Sequence, residues 1–93
     1  MIGSNSVYRF PPNDRAKSTC LTDQVCYIEG ELGEVKQAIL LMEGDARVIE
    51  ELWDVIHAAE GALRKFPIVK VAWGLMYVIW KNALRGDYRG GIR

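Results

Sequence analysis

Apolar residues recur at intervals of three and four over two consecutive stretches of the chain, and this spacing predicts two amphipathic α-helices. The first helix is expected to begin at Thr19 or Thr22 and to end near Glu43; the second is expected from Asp45 to about Phe66. Their predicted buried stripes are Val25, Ile28, Leu32, Val35, Ile39 and Met42 in the first helix, and Val48, Leu52, Val55, Ile56, Ala59, Ala62, Leu63 and Phe66 in the second.

A third helix is predicted from Ile68 to about Leu84, because Pro67 suits a first helical turn. This segment is apolar on nearly every side, and a helix that is apolar all round is buried all round. The chain has 93 residues, of which 49% are hydrophobic, and a monomer of this size cannot bury so much apolar surface. We therefore predict an all-α subunit of three main helices that assembles into a homo-oligomeric helical bundle. Trp73, Tyr77 and Trp80 are expected in its core or interface.

The length allows one domain, which we place at residues 19–85. Residues 1–18 show no helical period and are predicted as an N-terminal arm, extended or partly disordered, that packs on the body through Tyr8 and Phe10. Residues 86–93 are predicted as a flexible tail. The formal net charge is zero, which argues against nucleic acid as a partner.

The two cysteines, Cys20 and Cys26, are too far apart along one helix to form a disulfide, and reduced thiols indicate a cytoplasmic compartment. The N-terminus lacks the order of charged and apolar residues typical of a signal peptide. The most apolar run is interrupted by Lys70 and is too short to span a bilayer. A cytoplasmic protein without a membrane partner is therefore expected.

Four acidic residues form two pairs with the same spacing, in ELGE at 31–34 and ELWD at 51–54. Acids three residues apart lie about one helical turn apart on one face. The helical phase places Glu31 and Glu34 beside the first apolar stripe, Glu51 at the edge of the second, and Asp54 next around. The solvated face of the second helix is predicted to carry Glu50, Trp53, His57, Glu60 and Arg64.

Antiparallel packing of the two helices would bring the four carboxylates into one small volume. Unpaired negative charges so close together repel, so this cluster is expected to need a cation. Oxygen ligands without histidine or cysteine select hard cations, here Mg²⁺ or Mn²⁺. Because Mg²⁺ often bridges to substrate phosphates, the chemistry expected is cleavage of a phosphate ester or phosphoanhydride, with a carboxylate orienting or deprotonating the attacking water.

The pattern Glu31-x-x-Glu34 followed by Glu51-x-x-Asp54, within ELGEV and EELWDV, resembles the MazG-like all-α nucleoside triphosphate pyrophosphohydrolases. The resemblance covers about residues 24–66 well and the third helix more loosely. It implies Mg²⁺-dependent hydrolysis of the α–β phosphoanhydride of a nucleoside triphosphate, releasing the monophosphate and pyrophosphate. It also implies that these four acids hold the metal and that one of them activates the water.

The same resemblance implies a homodimer or a dimer of dimers, and phosphate contacts from Lys81, Asn82 and Arg85 near the end of the third helix. The predicted arm lacks the amphipathic helix that often precedes the first motif in this family, so the preferred base and sugar stay open. Two other functions also stay open: a metal-dependent hydrolase of another phosphorylated metabolite, and a helical interaction module whose acids bind a basic partner without a metal.

Overall fold

The computed structural model describes residues 10–11 and 14–88. They form four α-helices, which are α1 (Asp14–Ser18), α2 (Leu21–Leu40), α3 (Asp45–Leu63) and α4 (Ile68–Leu84). No strand occurs among the described residues, so the all-α prediction is confirmed. Tyr8 and residues 89–93 of the predicted tail lie outside the described residues.

The short helix α1 lies inside the stretch that the sequence predicted as an extended arm. Its five residues are too few to show a helical period, so periodicity could not reveal it. The threonine caps predicted for α2 are also wrong, because Cys20 occupies the N-cap position. The Thr19 hydroxyl instead donates to the carbonyl of Arg15, at 2.5 Å, and closes the end of α1.

The turn between α2 and α3 is closed by a Schellman motif with Met42 in the left-handed conformation. The amide of Met42 donates to the carbonyl of Ile39 at 3.1 Å, and the amide of Glu43 donates to the carbonyl of Ala38 at 3.0 Å. Met42 has φ +53°, a backbone conformation that costs an L-residue about 1–2 kcal/mol. The helix therefore ends three residues earlier than predicted, before glycine is reached.

Replacing Met42 with glycine is expected to stabilise the protein. The Met42 side chain is 88% exposed, so its removal loses little packing and relieves the strained backbone. We expect the free energy of unfolding to rise by about 1 kcal/mol, which shifts the melting temperature of a domain this size by roughly 4–8 °C. Thermal unfolding of Met42→Gly at fixed protein concentration measures this. Gly86→Ala is the matched control, because Gly86 has φ +78° at the end of α4 and should lose stability; an unchanged or lower melting temperature for Met42→Gly would contradict the prediction.

Helices α2 and α3 pack against each other through small residues. The buried apolar side chains of this interface are Val35 and Ala38 from α2 with Ala58 and Ala62 from α3. Gln24 is also buried, at 1% exposed, and its side-chain amide donates to the carbonyl of Ala58 at 2.9 Å. The subunit therefore has a thin core made mostly of alanine.

The large apolar residues of the predicted stripes lie mostly outside this core. Of all the predicted stripe residues, only Val35 and Ala62 are buried within the subunit. The reason is geometric, since the two helices touch through the neighbouring arcs of small residues and leave the long side chains facing outward. The stripe prediction was therefore wrong for the single chain.

The face of α3 that the sequence predicted to be solvated is partly covered. Helix α1 and Phe10 pack on it. Ala16 of α1 lies against Gly61, where an added Cβ would stand 3.0 Å from the Ala16 Cβ. Glu60 is buried beneath this segment and pairs with Arg64 at 2.7 Å. Arg64 also donates to the carbonyl of Phe10. A helical wheel of α3 alone cannot reveal a covering segment from elsewhere in the chain.

Helix α4 has no buried residue and makes no extensive contact with the other three helices. Trp73, near its middle, is 71% exposed. The described helices include none that is both long enough and apolar enough to cross a lipid bilayer.

Candidate metal centre

Three acids of α3 meet at one point on the helix. A carboxylate oxygen of Glu50, one of Glu51 and one of Asp54 all lie within 4.8 Å of one another. Glu51 is the most enclosed of them, at 5% exposed, and Asp54 is half-buried. The sequence predicted Glu50 on the solvated face, and its side chain is 62% exposed. The prediction that it lies apart from the other acids is wrong, because it precedes Asp54 by four residues and its carboxylate reaches the same place.

The two acids of α2 lie close enough to α3 for their charges to act across the helix pair. The pKa of Glu31 is raised above its ordinary value by burial, then by the charges of Asp54 and Glu34. Glu31 is half-buried and Glu34 is exposed. The two predicted pairs thus influence each other, while the tightest group of carboxylates is the one on α3.

The pKa of Glu51 shows the effect of the neighbouring negative charges most directly. Its pKa is raised by burial, by a hydrogen bond with the Asp54 side chain, and by the charges of Asp54 and Glu34. A raised pKa means that the ionised form of Glu51 is disfavoured where it stands. A cation held between these groups would relieve that cost.

Arg47 lies at the end of the cluster nearer the start of α3. Its guanidinium forms ion pairs with Glu43 at 3.5 Å, Glu50 at 3.3 Å and Glu51 at 3.5 Å. This positive charge opposes the rise in the pKa of Glu51 but does not cancel it. Arg47 therefore neutralises the acids only in part.

A second arginine approaches the cluster from α1. The guanidinium carbon of Arg15 lies 3.9 Å from the centre of the Tyr27 ring, a cation–π distance. Tyr27 precedes Glu31 by four residues, so the two side chains are neighbours on α2. The charge of Arg15 accordingly lowers the pKa of Glu31, against the larger effects of burial, Asp54 and Glu34.

The donor set fits a hard divalent cation. The groups that converge are carboxylates, and oxygen atoms are the ligands that Mg²⁺ and Mn²⁺ prefer. Glu50, Glu51 and Asp54 of α3 bring such atoms within 4.8 Å of one another. Glu31 and Glu34 of α2 are not part of that close group among the described residues, and their charges act on its members across the helix pair. The residues present are thus suited to the metal that the sequence predicted.

The predicted phosphate-binding residues lie apart from these acids within the subunit. Lys81, Asn82 and Arg85 share the last turns of α4, where Arg85 donates to Asn82 at 3.0 Å and pairs with Asp87 at 2.9 Å. Within the described part of the chain none of the three forms an ion pair with the acids of α2 or α3. The structure does not bring them to the cluster in a single subunit.

An aromatic group covers α3 next to the acids. Phe10 stacks on His57 with ring centres 4.2 Å apart, and it meets the edge of Trp53 at 6.1 Å. The sequence predicted His57 at the surface, but the side chain is half-buried. Its Nε2 has no hydrogen-bond partner among the described residues. The prediction that Phe10 attaches the arm to the body is confirmed.

Sequence reasoning missed three charged residues of the site. Glu50 and Arg47 could have been found, because each stands four residues before an acid of the cluster. Arg15 gave no such signal, since its place depends on how α1 packs on α3 and not on any spacing within a helix. The tertiary contact between Ala16 and Gly61 determines it.

A cavity of about 220 Å³ lies elsewhere, between α1 and the end of α3, lined by Ala16, Lys17, Glu60, Gly61, Arg64 and Lys65. Two of its basic side chains are engaged within the subunit: Lys65 donates to two carbonyls of the α1 segment and Arg64 pairs with Glu60. The cavity is therefore a weaker candidate for a binding site than the acidic cluster.

No family model, curated protein or solved structure matches the chain.

Proposed function

We propose that the protein is a Mg²⁺-dependent nucleoside triphosphate pyrophosphohydrolase with the metal held by Glu31, Glu34, Glu51 and Asp54. The observation that carries the proposal is Glu51, a nearly buried carboxylate with an oxygen within 4.8 Å of two other carboxylates. Structural acids are seldom kept so close together without a matching positive charge, and Arg47 supplies only part of it. The resemblance of ELGE and ELWD to the MazG-like motif supplies the reaction class.

The residues have distinct roles in this proposal. The four carboxylates bind and orient the cation, and one of them takes a proton from the attacking water. As that water oxygen bonds to the α-phosphorus, the bond from the α-phosphorus to the pyrophosphate oxygen breaks and pyrophosphate leaves. A bound Mg²⁺ supplies positive charge that offsets the charge on the phosphate oxygens.

We propose that α2 and α3 form an antiparallel pair. The contacts that support this join the start of α2 to the end of α3, through Gln24 and Ala58. The charges of Glu34 and Glu51 join the end of α2 to the start of α3. Such a pair places both acidic motifs at the same level along the hairpin.

We propose a homo-oligomer, a dimer or a dimer of dimers, built on α4 and the exposed apolar stripes. Helix α4 has no buried residue, and its large side chains Trp73, Tyr77 and Trp80 are 71%, 57% and 58% exposed. Exposed apolar surface of this extent is typical of an interaction site. Lys81, Asn82 and Arg85 are retained as substrate-binding residues that the assembly brings to a site.

The compartment is proposed as cytoplasmic. Both cysteines are free and exposed, as expected where thiols stay reduced.

The reaction is tested with a panel of nucleoside triphosphates. Purified protein is incubated with each of them and Mg²⁺, and the release of pyrophosphate, orthophosphate and nucleoside monophosphate is measured. We expect pyrophosphate and monophosphate in equal amounts, and loss of the reaction in Glu34→Gln, which removes one ligand charge at an exposed position. Release of orthophosphate alone, no release at all, or full activity of Glu34→Gln would defeat the proposed function.

A further inference from the structure

Arg47 is paired with acids that belong to the candidate metal centre. Its guanidinium lies 3.3 Å from the carboxylate of Glu50 and 3.5 Å from that of Glu51. Both are members of the close group, with Asp54, whose carboxylate oxygens lie within 4.8 Å of one another. The third partner, Glu43 at 3.5 Å, precedes α3 and is not part of that group among the described residues. Two of the three carboxylates in the close group therefore already contact a positive charge.

The burial of Glu51 makes its contact with Arg47 matter for the whole group. Glu51 is buried, whereas Arg47 and Glu50 are exposed. Charges in a partly buried place are screened less by salt and water than charges at the surface. The repulsion between Glu51 and its neighbours is therefore offset by a nearby cation rather than by solvent, and in the subunit alone that cation is Arg47.

A divalent cation at this site would need the same carboxylates that Arg47 contacts. Oxygen atoms of carboxylates are the ligands that Mg²⁺ and Mn²⁺ prefer. Two positive charges that share one carboxylate repel each other strongly enough, even in water, to change a binding constant about tenfold when one of them is divalent. Arg47 and a divalent cation therefore cannot both keep full contact with Glu50 and Glu51.

We infer that Arg47 is the counter-ion of the metal-free site and competes with the divalent cation for Glu50 and Glu51, so that it sets the cation concentration at which the site fills. This inference rests on the proposed function, of which it needs only the metal centre. Glu43 remains as a partner for the guanidinium when the other two acids contact the cation. If Arg47 only supported the fold, its loss would loosen the site and weaken metal binding, so the two roles predict opposite changes in metal affinity.

The test compares Arg47→Gln with Arg47→Lys and Lys36→Gln. The first variant removes the positive charge and the second keeps it. Lys36 is an exposed cation of α2 that forms no ion pair in the part of the chain that the structure describes, so Lys36→Gln is the matched control. The measurements are the Kd of Mn²⁺ by calorimetry, the melting temperature in chelator and in excess Mn²⁺, and the Mg²⁺ concentration that gives half-maximal pyrophosphate release.

Arg47→Gln is expected to bind Mn²⁺ about tenfold more tightly than the wild type, and to reach half-maximal pyrophosphate release at a correspondingly lower Mg²⁺ concentration. Its melting temperature in chelator should fall, because Glu50 and Glu51 lose the charge that offsets their repulsion. Excess Mn²⁺ should raise that temperature by more than it does in the wild type. Arg47→Lys and Lys36→Gln should keep the Kd of Mn²⁺ within about threefold of the wild-type value.

The direction of the change in Kd decides the matter. An unchanged or higher Kd of Mn²⁺ in Arg47→Gln would overturn the inference, as would an equal gain of affinity in Lys36→Gln or in Arg47→Lys. If metal-free Arg47→Gln unfolds, the dependence of its melting temperature on Mn²⁺ concentration gives the same affinity. Saturable binding that Arg47→Gln leaves unchanged defeats this inference alone, whereas no saturable binding in any of the four proteins defeats the proposed metal centre with it.

Discussion

Replacing Asp54 with asparagine is expected to make the metal-free protein more stable and to remove its response to divalent cations. Burial and the charge of Asp54 raise the pKa of Glu31, and burial, a hydrogen bond and the charge of Asp54 raise the pKa of Glu51. Removing that charge relieves repulsion in the folded state, so the melting temperature in chelator should rise. Loss of a direct ligand should lower Mn²⁺ affinity and hydrolysis by about a hundredfold or more, since loss of even an outer partner of a ligand costs 10- to 100-fold.

Thermal unfolding in chelator and in excess Mn²⁺ measures both halves of this prediction for Asp54→Asn. Glu29→Gln is the matched control, because it removes an acid from the exposed side of α2 and should change neither result. A lower melting temperature of Asp54→Asn in chelator would show that Asp54 stabilises the fold. Equal stabilisation of Asp54→Asn and wild type by Mn²⁺ would show that Asp54 does not bind the metal.

The metal-free wild type and Asp54→Asn should also differ in how the free energy of unfolding depends on pH. Because the folded pKa values of Glu31 and Glu51 lie above the ordinary 4.5, the folded state holds their protons more tightly than the unfolded state does. Their contribution to stability is complete below that ordinary value and is lost as the pH rises through the raised values. The metal-free wild type should therefore melt at a higher temperature in mild acid than at neutral pH, with a shallower dependence in Asp54→Asn.

Trp73→Glu is expected to dissociate the proposed homo-oligomer and to unfold much of α4. Trp73 is 71% exposed in the subunit, and α4 has no buried residue to hold it in place. Most of the stability of a helix in a protein comes from packing rather than from intrinsic propensity. Loss of a buried tryptophan costs about 3–5 kcal/mol, so subunit affinity should fall by at least about a hundredfold.

Light scattering coupled to size-exclusion chromatography, over a series of protein concentrations, measures the mass of Trp73→Glu. Circular dichroism at the same concentrations measures its helix content. Lys70→Gln, at an exposed polar position of the same helix, is the control and should keep the wild-type mass. A monomeric wild type, or a Trp73→Glu variant of wild-type mass and helix content, would contradict the proposed role of α4.

The sequence predicted the three long helices to within a few residues, because their apolar spacing and the positions of proline and glycine are local signals. It missed two features that the spacing of apolar residues does not report. Met42 ends α2 in a left-handed conformation that glycine usually takes, and α1 covers the face of α3 that a wheel assigns to solvent. The first outcome rests on local backbone hydrogen bonds at the end of α2, and the second rests on a contact between two segments.

The acidic site was predictable to a similar extent. The phase of Glu31, Glu51 and Asp54 relative to the apolar stripes follows from spacing alone, and the structure places these acids within reach of one another's charge. Glu50 lies on the solvated face as predicted, but the wheel did not register that its carboxylate reaches Asp54, four residues on. Arg15 could not have been placed, since it reaches Tyr27 only when Ala16 packs on Gly61.

A calorimetric titration of chelator-treated wild-type protein with Mn²⁺, repeated with Mg²⁺, tests the central claim most directly. A metal centre of four carboxylates on α2 and α3 predicts saturable binding of both ions, with a defined number per subunit, that is strongly weakened in Glu34→Gln and unchanged in Glu29→Gln. The absence of saturable binding, or binding that Glu34→Gln leaves intact, would contradict it.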